Sequence, residues 1–253
     1  MSDARPPVEA TTAHGDTFEF RNRLREMFEG SPMAKDELMF NLGLYVRSSL
    51  LVKFLLLSDL YQRFKHLPGA LLEFGTWRGQ NLVLMENLRA IHEPFNKQRA
   101  IIGFDTFSGY PESAGMTAKS IETHDGYNTQ SDYQSYLAEL LQVHEGNNAF
   151  GHIRGNHKLV VGDVTQTAPK YFEDHPETLV AFAFFDMGPY EPTLAALTAL
   201  KPHLMPGSVI LFDELTWAGA PGEALAFKEV FRDTRYTIET CPLYPSKSIV
   251  TLS

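Results

Sequence analysis

A doubly wound α/β fold, with a mostly parallel sheet of seven strands and a helical extension at the N-terminus, is predicted by three features of the 253-residue sequence. From Ala70 onward, short apolar runs alternate with helical patterns, as strands and crossover helices of a parallel sheet do. The run Leu179 to Phe185 is nearly unbroken in its apolar character, as required of a strand buried on both faces. Nearly every such run ends at an acid, in Asp105, Asp163, Asp186 and the pair Asp213-Glu214, so the acids share one rim of the sheet.

Residues 1 to 16 contain Arg5-Pro6-Pro7 and scattered Thr, Ala and Gly; they have little to bury and are expected to be disordered. Phe18 to Phe28 reads as a short amphipathic helix ended by Gly30-Ser31-Pro32. A second helical region is expected from Asp36 to His66, with Leu38, Leu42, Tyr45, Val46, Leu50 and Phe54 in the 3.6-residue period and Leu67-Pro68-Gly69 as its stop. Residues 17–67 thus form a helical extension and 68–253 the core. Such an extension covers a ligand, joins two subunits or simply packs on the sheet, and a homo-oligomer formed through it is expected.

Within the core, Ala70 to Phe74 is the first strand and Gln80 to Glu93 its helix. Ala100 to Asp105 is the second strand. Residues 110–156 are longer than an ordinary crossover and rich in Gly, Ser, Thr, Asn and His, with one helix at Asp132 to Val143; they are expected to act as a lid. His157 to Val161, Leu179 to Phe185 and Ser208 to Phe212 are the next three strands. Helices are expected from Ala168 to Asp174, from Pro192 to Leu204 (closed by Pro206-Gly207) and from Gly222 to Arg232. Tyr236 to Thr240 and Ser248 to Leu252 complete the sheet.

A net charge of −9 without a block of Lys or Arg argues against a nucleic-acid or membrane-surface partner and for a small substrate. One cysteine, Cys241, allows no internal disulfide. No apolar signal region opens the chain and its most apolar run, Ser49 to Leu60, is too short to span a bilayer, so a cytoplasmic location is expected.

The turn after the first strand, Glu73-Phe74-Gly75-Thr76-Trp77-Arg78-Gly79, carries two glycines ahead of a helix whose unpaired N–H groups face back over it. In open α/β sheets this is where nucleotides bind. The dinucleotide fingerprint Gly-x-Gly-x-x-Gly is absent, which counts against the rival reading of an NAD-dependent oxidoreductase. Asp105, at the end of strand two, is placed to accept ribose hydroxyls or to cap the turn Thr106-Phe107-Ser108-Gly109. Arg78 is expected either to face a ligand carboxylate or to be a solvated helix-start residue. Asp186, Asp213 and Glu214 would stand close together at neighbouring strand ends. Their mutual repulsion calls for a cation between them, with Mg²⁺ ahead of Ca²⁺ or Mn²⁺; the bland alternative is a solvated pair after a strand.

The same turn, with Ile102-Gly103-Phe104-Asp105-Thr106-Phe107-Ser108-Gly109-Tyr110-Pro111, Gly151-His152-Ile153, Gly162-Asp163-Val164-Thr165, Tyr190-Glu191-Pro192-Thr193 and Phe212-Asp213-Glu214-Leu215, resembles the macrocin-type O-methyltransferase family from about Asn41 onward. The resemblance implies a Rossmann-like, class I S-adenosylmethionine-dependent and Mg²⁺-dependent enzyme that methylates hydroxyls of sugars or other natural products. By that resemblance Glu73, Gly75 and Gly79 bear on the methionine end of the cofactor, Asp105 and Ser108 on its ribose, Asp163 on its adenine, and Asp186, Asp213 and Glu214 on the metal; Thr76, Trp77 and Arg78, in the same turn, are expected at the cofactor as well. One departure concerns the proton acceptor. The family often carries a second acid where this chain has Gly188, so the proton passes to another group, with His124 and Asp125 in the long segment as candidates, or the metal alone acidifies the hydroxyl, or the chain binds the cofactor without turnover; Asp186 is counted among the catalytic residues as a ligand of that metal.

Overall fold

The computed structural model describes residues 16–96, 98–115, 127–130, 132–148 and 157–253. The expectations for residues 1–15, for Gly151-His152-Ile153 and for His124 and Asp125 fall outside them. The chain divides into two units, with the boundary between Leu55 and Leu56 inside the third helix.

The first unit holds α1 (Asp16–Glu29), α2 (Lys35–Phe40), a 3-10 turn (Leu42–Tyr45) and the start of α3 (Ser48–Phe64). The single helix expected from Asp36 to His66 is therefore interrupted. Asn41 causes the break by turning back on α2: its backbone N–H donates to the Leu38 carbonyl (3.0 Å) and its side-chain amide to the Glu37 carbonyl (2.9 Å). None of residues 18–55 is buried.

The second unit is built on β1 (Ala70–Phe74), α4 (Gln80–His92), β2 (Ile101–Asp105), α5 (Tyr133–Asn148), β3 (Lys158–Val161), α6 (Val164–Asp174), β4 (Val180–Phe185), α7 (Tyr190–Leu200), β5 (Leu204–Phe212), α8 (Gly222–Val230), β6 (Tyr236–Thr240) and β7 (Ser248–Leu252). The sheet order is β3-β2-β1-β4-β5-β7-β6, parallel through β5 and antiparallel at β7 and β6. The order reverses between β1 and β4, and a crevice opens at the strand ends there. Among the described residues no helix is long and apolar enough to cross a membrane.

Two boundaries differ from expectation for local reasons. Strand β5 begins at Leu204 and carries Pro206-Gly207 as an irregularity, because Ser208 Oγ ties the strand to its neighbour by donating to the Val180 carbonyl (2.7 Å) and accepting from Met205 N–H (2.9 Å). Helix α6 starts at Val164, four residues before Ala168, because Asp163 caps it by accepting from Thr165 N–H (2.9 Å).

A row of four phenylalanines fixes the rim. Phe104, Phe74, Phe185 and Phe212 lie side by side on β2, β1, β4 and β5, with ring centroids 4.7, 4.7 and 5.3 Å apart in that order, and all are buried. Burying each ring contributes about 1.5–3 kcal/mol. The next residue on each strand is Asp105, Gly75, Asp186 or Asp213, so this row sets the height of the four rim positions.

Candidate active site

At the crevice lies a cavity of about 580 Å³, within the range of small-molecule sites. Gly75, Trp77, Asp105, Asp186, Asp213 and Glu214 line it, together with Thr106, Tyr110, Tyr127, Pro189 and Trp217.

One wall is organised by Asp105. Its Oδ2 accepts from Trp77 N–H (2.6 Å) and its Oδ1 from Phe107 N–H (2.7 Å). Among the described residues, Trp77 (φ 47°) and Phe107 (φ 55°) are the non-glycine residues with positive φ, a conformation that costs of order 1–3 kcal/mol each. One carboxylate thus joins two strained turns, and Asp105 caps its own turn as well as facing the cavity. Burial pushes its carboxyl above the usual range, and the backbone donors oppose that. The Trp77 Nε1–H is buried with no hydrogen-bond partner, a donor a ligand can satisfy. An acid acceptor, an indole donor and the apolar surfaces of Phe104 and Val164 on this wall fit a nucleoside-bearing cofactor. Asp105→Ala is expected to weaken cofactor binding by about 1.5–3 kcal/mol and to lower the melting temperature, as titration calorimetry and thermal melting would register.

The other residues expected at the cofactor do not line the cavity. Glu73 is buried in β1 and its Oε1 accepts from Asn81 Nδ2 (2.7 Å). Thr76 is buried behind the turn. Arg78 is exposed, with its guanidinium 5.2 Å from the Trp77 ring and 5.7 Å from the Tyr133 ring. Gly79 adjoins helix α5 rather than a ligand, since a Cβ there would lie 2.4 Å from Leu137 Cδ1. Ser108 is exposed and bridges to Asn128. Asp163 spends its carboxylate on the α6 cap and on Ser113 Oγ (2.5 Å).

Across the cavity the carboxylates are arranged unequally. Asp186 is exposed. Burial, and after it the negative charges of Asp186 and Glu214, raise the phenols of Tyr110 and Tyr127. Gly188 has φ 80°, and a Cβ on it would stand 3.1 Å from Glu214 Oε2. Glu214 therefore borders the space into which a side chain at 188 would project. Asp213 Oδ1 is ion-paired to Lys247 Nζ, and the Lys247 side chain is only 6% exposed.

These residues do not fit the metal site expected from the sequence. Asp186, Asp213 and Glu214 share one cavity, yet among the described residues no three His, Cys, Asp or Glu side chains stand close enough together to hold an ion. The physical reason is at Asp213, where an ammonium already balances the charge.

Behind this wall is Glu223, fully buried in the first turn of α8. Its Oε2 accepts from Glu214 N–H (2.9 Å). Burial, then the charges of Asp186 and Glu214, push its carboxyl up to about 8 from 4.5. Below 4.5 the folded and unfolded states are both protonated and nothing is lost; between 4.5 and about 8 only the folded state stays protonated, so stability falls as pH rises through that window. The fall amounts to roughly 5 kcal/mol at most. Glu223→Gln keeps the acceptor and removes the titration. Its melting temperature relative to the native chain is expected to rise across that window and level off above it.

Lys247, Trp217, Tyr127 and Glu223 were not singled out from sequence. Lys247 had a signal: the antiparallel register Phe212 to Ser248 sets residues 213 and 247 opposite each other, which follows once β7 is laid beside β5.

The model of the macrocin-O-methyltransferase (TylF) family matches residues 60–240. Two structures of the calicheamicin methyltransferase CalS11 are similar over nearly the whole chain. One, described as a calicheamicin methyltransferase, is 32% identical with TM-score 0.86, covering 99% of this chain and 98% of its own. The other, described as a TDP-rhamnose 3'-O-methyltransferase, is 33% identical with TM-score 0.83, covering 95% and 96%. A curated tetracenomycin-C rhamnosyl 4'-O-methyltransferase from Streptomyces olivaceus is 26% identical over 58% of this chain, and the match spans 53% of that protein's length.

Proposed function

Because the chain belongs to the macrocin-O-methyltransferase family, and so is an S-adenosylmethionine-dependent methyltransferase, we propose that it methylates a hydroxyl of a sugar carried by a small natural product or its activated precursor. The observation that carries this reading is a single cavity lined both by Gly75, Trp77 and Asp105 and by the acidic and aromatic side chains of Asp186, Glu214, Tyr127 and Trp217. The sugar is supported by the CalS11 relative, described as acting on TDP-rhamnose.

When bound, S-adenosylmethionine supplies a methyl group on a sulfonium leaving group that is already activated. The chain's task is alignment and proton removal. In this reading Trp77 and Asp105 hold the cofactor, and Asp186, Glu214, Tyr127 and Trp217 hold the hydroxyl at near-attack distance. The bound sulfonium would supply the methyl carbon and take the electron pair of the bond it loses, while Asp186 accepts the hydroxyl proton. No step is routed through a divalent ion, since among the described residues the carboxylates do not gather into a site for one.

Gly188 motivates a second reading, a protein that binds the cofactor without turnover. Incubation with isotopically methyl-labelled S-adenosylmethionine and a panel of nucleotide-linked and glycosidic deoxysugars, with mass spectrometry of the products, separates the two. Labelled methyl on a sugar oxygen supports the enzyme; binding with no labelled product on any acceptor supports the binder.

We further propose that a second copy of the chain covers the N-terminal unit. Phe20, Met39, Phe40 and Leu44 are 74, 74, 93 and 65% exposed, and helices without a core are marginal on their own. Residues 16–55 carry six Lys or Arg and six Asp or Glu in a chain of net charge −9, so two such surfaces meet without net repulsion. Replacing Met39 and Phe40 together by Asp is expected to convert an oligomer into a monomer, as light scattering would report; a native chain already monomeric would refute it.

A further inference from the structure

We propose that Lys247 is the chain's own cation at the strand-end carboxylates, so that a divalent ion reaches Asp213 only by displacing it. The inference rests on the reading of this cavity as the catalytic one. Lys247 lies in the short connection between β6 and β7, fixed at both backbone groups: its N–H donates to the Tyr244 carbonyl (2.9 Å) and its carbonyl accepts from Cys241 N–H (2.9 Å). The register of β7 on β5 aims the residue at Asp213. Its ammonium pairs with Asp213 Oδ1 and lies 5.1 Å from the Phe184 ring and 4.8 Å from the Tyr244 ring. Two aromatic faces and one carboxylate make a pocket for a cation.

The arrangement is asymmetric in what it permits. A buried ammonium is stabilised by each anionic partner, so withdrawing Asp213 to ligate a metal would cost Lys247 its ion pair with that carboxylate. The incoming divalent ion would also stand beside a like charge. Both effects favour Lys247 over the metal. The positive charge that a metal would bring to this rim is therefore supplied by the sequence, and Asp213 serves as its anchor.

The test is metal binding by the full chain, read apart from turnover. The native protein, stripped of metal by a chelating resin, is titrated with Mn²⁺ and Mg²⁺ by calorimetry and by the free-Mn²⁺ electron paramagnetic resonance signal, in parallel with Lys247→Arg and Lys247→Met. The native chain and Lys247→Arg are expected to show no saturable binding, and Lys247→Met to gain one site, at least about tenfold tighter than any native binding, as removal of a buried like charge implies. Retained binding of S-adenosylhomocysteine and a cooperative melt would show that the variant is folded; Lys247→Gln serves in its place otherwise. Saturable native binding that is lost in Asp213→Asn overturns the proposal without recourse to a Lys247 variant. So does absence of binding by every chain, since Lys247 would then not be what keeps the ion out. Failure of the proposed function looks different: no sugar acceptor is methylated, whatever the metal titrations give.

Discussion

Asp186→Asn is expected to slow methyl transfer by about 10²–10⁴-fold, the range for loss of a positioned proton acceptor, with the dissociation constant of S-adenosylmethionine unchanged. The expectation follows from where the residue stands. Asp186 follows Phe185 at the end of β4, its backbone N–H donates to the Phe74 carbonyl (2.9 Å), and the exposed residue lines the same cavity as Gly75, Trp77 and Asp105. An amide of the same shape keeps the wall and cannot take a proton. Single-turnover rates and cofactor titration on one preparation would check both halves. Equal rates for the native chain and the variant would move the proton to another group, with Glu214 first among the residues lining the cavity.

Gly75→Ala is expected to be the most disruptive single methyl group in the core. Gly75 has φ 91°, and a Cβ there would fall 2.2 Å from the Asp186 carbonyl oxygen and 2.8 Å from its carbon. Those are backbone atoms held by the β1–β4 ladder, so they cannot rotate away as a side chain would. Backbone strain of about 1–3 kcal/mol is added to an overlap that must part the two strands at the rim. A loss of at least about 3 kcal/mol in unfolding free energy, with loss of cofactor binding, is expected. Denaturant titration would measure it; a variant within about 0.5 kcal/mol of the native chain would mean that the strand ends yield easily.

The glycine illustrates how far the sequence could be read. That Gly75 marks a turn needing unusual backbone angles was legible from the break in the apolar run. That its bareness serves a neighbouring strand was not, because the close approach of Asp186 depends on β1 and β4 being adjacent. The seven strands were visible because buried parallel strands are apolar without interruption and their ends are marked by acids or glycines. Asn41 was missed as a helix stop because its effect comes from a side-chain hydrogen bond, which apolar periodicity does not record.

The carboxylates show the same division. Their positions at the rim were readable one strand at a time, and Asp105, Asp186, Asp213 and Glu214 do share a cavity. Their chemical partners were not, since each comes from elsewhere in the chain: Lys247 for Asp213, Glu223 for the backbone of Glu214, and Trp77 for Asp105. Counting acids suggested a cation; the buried ammonium answers part of that need. Asp163 has a local role that the sequence reading did not anticipate, as its side chain completes the start of α6.

The most direct test of the proposed function is the position of transferred label. The native chain, methyl-labelled S-adenosylmethionine and nucleotide-linked or glycosidic deoxysugars are incubated together, and the product is fragmented by mass spectrometry. The account predicts one labelled methyl per product on a sugar oxygen, lost in Asp186→Asn and weakened at limiting cofactor in Asp105→Ala. Cofactor binding without label on any acceptor, or binding of a nicotinamide dinucleotide in preference to S-adenosylmethionine, would contradict it.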